Sequence, residues 1–125
     1  MVEKLQQLDS ELRQNLRMPV SFHTLMYPIS GTWKGRREAE SNDLSCGGIS
    51  FFCRWRLEER ERVELVVPIT AEPLLLRCEI LRERPCGREG EVMYAAKFIS
   101  MCHDEEMLVR EAVFNVQVSA RPRRT

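Results

Sequence analysis

The spacing of apolar and polar positions changes period along the chain. Leu5, Leu8 and Leu12 recur at three- and four-residue intervals among polar neighbours. That is the period of a helix with one apolar face, and it predicts a short N-terminal helix over residues 2–12. A helix of this length is marginal in water and needs a surface to dock on. From Pro19 onward the pattern shifts to short runs rich in β-branched and aromatic residues, broken by Gly, Pro and Asn. Strands are predicted over 20–26, 32–41, 49–53, 62–67, 74–84 and 91–99. Between them lie a turn at 27–31, a polar, Gly-rich loop at 42–48, an exposed charged connection at 54–61 and a loop at 85–90. Beyond the strands, Asp104 is placed to cap a C-terminal helix whose Met107, Leu108, Ala112 and Phe114 would cover part of the sheet.

Six short strands with no helix between them imply an antiparallel sheet, and closure into a barrel removes its exposed edges. The expected fold class is therefore mainly β, a six-stranded antiparallel β barrel with a short N-terminal helix and a C-terminal helix. A chain of 125 residues supports one hydrophobic core and is too short for two ordinary domains. The expected division is a helical segment at 1–12, the barrel domain with its C-terminal helix at 13–120, and a basic tail at 121–125. No internal repeat or low-complexity segment interrupts it.

Composition acts mainly by exclusion. Hydrophobic residues at 43% beside charged residues at 30% describe an ordered globular chain. A formal net charge of zero argues against a nucleic acid polymer as partner, because that affinity comes from summed phosphate neutralisation; a small anion held by a local cluster remains open. The N-terminus lacks an apolar signal region and no stretch reaches the length of a bilayer span, so a cytoplasmic protein with no membrane insertion is expected. Five cysteines at irregular spacings suit a reduced compartment better than a disulfide framework, and act mainly as small hydrophobes. The two histidines, His23 and His103, join no nucleophile–base motif, and Cys102 beside His103 is not a dyad, since such partners normally meet from separated segments. With no C-x-x-C pair, neither a metal site nor a cofactor is expected, and the chain does not read as an enzyme.

Two elements carry chemistry. Arg13 and Arg17 stand four apart where the helical pattern gives way to the strand pattern, a separation that puts both on one face of either backbone. A guanidinium bonds guanine O6 and N7 in bidentate fashion, grips phosphate oxygens and stacks on a base; the plainer alternative is two solvated arginines. The second element runs from Asn42 through Asp43, Leu44, Ser45, Cys46, Gly47 and Gly48 into the apolar Ile49, Ser50, Phe51 and Phe52. Asp43 and Ser45 can bond local backbone groups, and the glycines permit a tight turn or the close approach of a ligand. A carboxylate there also complements guanine N1–H together with the exocyclic amine; an ordinary turn between strands is the alternative. Lys34, Arg36 and Arg37 could add positive potential, but Glu38 and Glu40 follow at once and they are left outside the site.

Taken together, RxxxR at the approach to the first strand, followed some thirty residues later by D-x-S-x-x-G before an apolar strand, resembles the PilZ domain family. The resemblance runs from Arg13 through Arg17, Met18, Pro19 and Val20, the 43–52 segment, the strand count and the C-terminal helix. Ala96 departs from a glycine that many members carry in the last strand. The resemblance implies a barrel of the split-barrel type and a receptor for cyclic di-GMP. In it Arg13 and Arg17 would take guanine edges and phosphates, Asp43, Ser45 and Gly48 would hold another guanine, and Leu12, Asn42 and Gly47 would lie in secondary positions. Leu12, just before the first motif arginine, leans towards one bound nucleotide rather than an intercalated pair. The implied role is an adaptor that turns second-messenger level into a conformational change, carried by the N-terminal helix and read by a protein effector in motility, exopolysaccharide or biofilm control; a homodimer is allowed. The resemblance also admits a nucleotide-free interaction adaptor, against which stand the five intact motif positions.

Overall fold

A computed structural model describes residues 17–119, with side chains as far as 115. The expected N-terminal helix at 2–12, Leu12 and Arg13, and the tail at 121–125 lie outside the described residues. Seven strands and one helix follow in order: β1 (Met18–Pro19), β2 (His23–Pro28), β3 (Arg37–Leu44), β4 (Gly48–Cys53), β5 (Arg62–Val67), β6 (Leu74–Arg84), β7 (Val92–Phe98) and α1 (His103–Ser119). Every pairing is antiparallel. The order β3-β2-β5-β6-β7-β4 closes when β4 pairs back onto β3, giving the six-stranded barrel, while β1 is a two-residue addition on β3.

Alternation decides what is inside. Val63, Leu65 and Val67 of β5 and Leu76, Cys78 and Ile80 of β6 point into the core, with Arg62, Glu64, Arg77 and Glu79 on the outer face. Met26, Leu44, Ile49, Phe51 and Tyr94 complete the interior, and Val109 and Val113 of α1 cover it. The connection at 54–61 is less exposed than its charge suggests. Leu57 is buried, its N–H donates to Tyr94 Oη at 2.7 Å, and Trp55 packs against the core. Burial pushes the Tyr94 hydroxyl pKa up, so it stays protonated. Tyr94→Phe would orphan the Leu57 N–H and is expected to cost about 1–3 kcal/mol, read as a lower urea midpoint with an unchanged slope.

Three boundaries differ from the pattern-based expectation. The strand expected at 20–26 begins only at His23 and runs on to Pro28; in the gap after β1 the Ser41 hydroxyl accepts the Phe22 N–H at 2.8 Å and donates to the Val20 carbonyl. The strand expected from Thr32 begins only at Arg37. Gly31 and Gly35, at φ of 106° and 86°, turn the chain. Trp33 is drawn aside, its indole N–H on Glu61 Oε2 at 2.9 Å and the Arg37 guanidinium 4.1 Å from its ring centre. At its other end β3 extends through Asn42, Asp43 and Leu44, past a bulge between Ser41 and Asp43, so Asp43 sits on a strand and not in the loop.

The helix is present, capped two residues earlier than expected. Cys102 is the cap: its carbonyl accepts the Glu106 N–H at 3.0 Å, and its own N–H donates to Glu105 Oε1 at 3.0 Å. Asp104 instead joins Glu105 and Glu106 in an acidic first turn that suits the helix dipole. The face against the barrel centres on Val109 and Val113, whereas Met107 and Phe114 point to solvent. Apolar residues on more than one side of the helix left its pattern unable to choose between faces.

Candidate functional site

The β3–β4 turn is built by its own side chain. Ser45 donates its backbone N–H to the Gly48 carbonyl at 2.9 Å, and its hydroxyl accepts the Gly48 N–H at 3.1 Å while facing the Gly48 carbonyl at 3.2 Å. Ser45 is buried, so its hydroxyl shapes the loop and is not presented to solvent. Gly47 latches the loop to the end of β7, its carbonyl accepting the Phe98 N–H at 2.9 Å. Gly48 is required for room: a Cβ there would stand 2.3 Å from the Ala96 carbonyl oxygen and 3.2 Å from Lys97 Cα, inside contact distance of backbone that has no rotamer with which to yield.

Asp43 lies opposite Pro19 of β1 on one side and Ser50 of β4 on the other. The β1 pairing therefore delivers Arg17, one residue before the strand, to the carboxylate. Arg17 Nη1 donates to Asp43 Oδ1 at 2.9 Å, the Ser50 hydroxyl donates to the same oxygen at 2.6 Å, and Asn42 Nδ2 donates to Ser50 Oγ at 3.1 Å. The chain of bonds aims the carboxylate while leaving 35% of the Arg17 side chain and 17% of the Asp43 side chain accessible. Beside the pair opens a cleft of about 180 Å³ lined by Arg17, Ser45, Gly47, Gly48, Leu81, Ala96 and Lys97. Lys97 Nζ lies 3.2 Å from Glu79 Oε2, and Arg62 Nε 3.6 Å from Glu79 Oε1. The Lys97 hydrogen bond holds the Glu79 carboxyl below its usual range.

A guanidinium beside a carboxylate offers paired donors and an acceptor to a flat polar edge, and two cations on an open cleft suit an anion. Among the described residues no group of His, Cys, Asp and Glu is arranged to hold a metal ion, and no helix is long and apolar enough to cross a membrane. Of the residues singled out from sequence, Arg17, Asn42, Asp43, Ser45, Gly47 and Gly48 come together here. Arg37 does not: it stacks between Trp33 and Trp55 at the far end of β3. Sequence reasoning missed Ser50, Leu81 and Lys97. Ser50 could have been flagged as a lone hydroxyl in an apolar strand and Lys97 as a lone cation in one, but Leu81 carries no such signal.

Comparison with known proteins agrees with this geometry. Residues 11–115 match the family model of the PilZ domain. Among solved structures, the Bacillus subtilis inhibitor of motility MotI/DgrA is similar at TM-score 0.69 and 13% identity, over 88% of this chain and 53% of that one, so the chain spans about half its length. The PilZ domain of YcgR from Escherichia coli, solved with cyclic di-GMP, is similar at TM-score 0.63 and 14% identity over 85% of this chain and 92% of that one. For the PilZ domain of CeSA from a cellulose-synthesizing bacterium the values are 0.61 and 20%, over 82% and 99%. Likeness at these identities is likeness of fold. No curated protein matches the sequence. Since the family match spans most of the chain and includes both the barrel and its Arg17–Asp43 cleft, this chain belongs to the PilZ domain family.

Proposed function

We propose that the cleft binds cyclic di-GMP and that the chain is a receptor and adaptor for that messenger. The observation that carries the proposal is that Arg17, held by Asp43, lines a cleft whose loop is shaped by Ser45 and Gly48. Arg17 and Arg13 take guanine edges and phosphates, Asp43 accepts from guanine N1–H and the exocyclic amine, and Ser45 and Gly48 hold the loop at the distance the base requires. Asn42 acts through Ser50, while Gly47 and Leu12 are secondary. Solved relatives with this fold support the reading, the YcgR domain having been solved with cyclic di-GMP.

A cyclic dinucleotide that touches both the strip at 13–17 and the β3–β4 loop pins one onto the other. The signal then leaves through the segment that precedes Arg17 to a protein partner in the cytoplasm, where the messenger is made, in control of motility or surface behaviour. Calorimetric titration of the purified chain tests the reading, with GTP as the control ligand. Saturable binding of cyclic di-GMP, weakened on the order of 10- to 100-fold in Arg13→Ala by the loss of charge-assisted bonds, is the expected result. A folded sample giving neither heat nor a thermal shift would replace it with the nucleotide-free adaptor.

A further inference from the structure

One wall of the cleft comes from strands that carry neither motif. In β6, Ile80 pairs with Ala96 and Arg82 pairs with Ala95, so Leu81 is an extra residue in a bulge. The bulge leaves Leu81 without a cross-strand partner and keeps it on the outer face beside Arg82. Leu81 is 39% exposed and lines the cleft. Lys97 stands beside it, outward-facing on β7 and paired across the ladder with both Gly48 and Glu79.

The motif side chains recognise edges and charge. Arg17 and Asp43 bond the rim of a base, and Gly47 and Gly48 clear space, yet none of them covers its flat face with apolar surface. Ala96 is buried, which leaves Leu81, among the described residues, as the apolar side chain that reaches the open cleft. The cleft also holds a second cation in Lys97, and a cyclic dinucleotide carries two phosphates. Turning Lys97 toward a phosphate leaves Glu79 with Arg62 as its remaining counter-charge, so the exchange strands no carboxylate. We infer that Leu81 and Lys97 form a second half of the ligand site, Leu81 as the shelf for one face of a guanine and Lys97 as a phosphate cation on loan from Glu79. This rests on the cleft being the cyclic di-GMP site.

The test titrates cyclic di-GMP into the wild type, Leu81→Ala, Lys97→Met, Lys97→Arg and Arg17→Ala. Leu75→Ala serves as the control, because Leu75 is a more exposed leucine of the same strand and lies outside the cleft. Thermal melts confirm that each variant is folded. Leu81→Ala is expected to weaken binding on the order of tenfold through lost apolar cover. Lys97→Met should weaken it on the order of five- to tenfold and flatten its salt dependence, with Lys97→Arg restoring both. Leu75→Ala should bind as the wild type does. If Leu81→Ala and Lys97→Met bind normally while Arg17→Ala loses the ligand, the second half-site is wrong and the receptor reading stands. If the wild type itself does not bind, both fall.

Discussion

Arg17→Ala is expected to weaken cyclic di-GMP binding on the order of 100- to 10,000-fold while leaving the barrel folded. The affinity loss follows from at least two charge-assisted hydrogen bonds, each contributing about 1.5–3 kcal/mol where the acceptor has no other donor. The fold is spared because Arg17 precedes β1 and a third of its side chain is accessible. A pair of this exposure contributes only about 0–1 kcal/mol, and Asp43 keeps the Ser50 hydroxyl as donor when the guanidinium is removed. Calorimetry beside a thermal melt separates the two effects. A melting temperature within about 5 °C of the wild type, together with loss of the binding isotherm, is the expected pair of results. Undiminished affinity would show that the ligand is held elsewhere.

Gly48→Ala is expected to fail for a different reason. The added methyl meets the Ala96 carbonyl oxygen at 2.3 Å and Lys97 Cα at 3.2 Å, and both belong to the strand with which Gly48 pairs. No side chain can swing away, so β4 and β7 must part along their shared ladder. A cost of about 2–4 kcal/mol is expected from the strain and the disturbed hydrogen bonds, lowering the melting temperature by about 8–15 °C for a domain of this size. Gly47→Ala, one residue earlier, meets nothing within 4 Å and should melt close to the wild type. Equal melting of the two variants would contradict the close approach at Gly48.

Much of the ring was legible because strict alternation marks strands directly. The ranges expected at 62–67 and 74–84 coincide with β5 and β6. What was not legible depends on partners distant in the chain. Thr32 and Trp33 read as strand by propensity, but Glu61 and Arg37 hold the indole in a loop. Asp43 read as a turn residue because Asn, Asp and Gly cluster there, yet its pairing with Pro19 and Ser50 makes it strand. The motif half of the site could be named in advance since Asp43, Ser45 and Gly48 are close in sequence. Leu81 could not, because a bulge in a run such as Leu81, Arg82, Glu83 and Arg84 leaves no mark on the pattern of hydrophobicity.

The order of the strands carries a last consequence. β2, β3 and β4 are neighbours in sequence, as are β5, β6 and β7, so the ring consists of two three-strand sheets held by two joints, β2 with β5 and β4 with β7. The cleft straddles the second joint, with Ser45, Gly47 and Gly48 from one sheet and Leu81, Ala96 and Lys97 from the other. A ligand seated there touches both sheets only when the joint is shut, so occupancy and closure become linked by mass action. At a free concentration one hundred times its dissociation constant, such a ligand adds about 2.7 kcal/mol to the closed ring. By the same linkage, whatever loosens the joint, however far from the nucleotide, lowers the affinity by the factor through which it favours the open form.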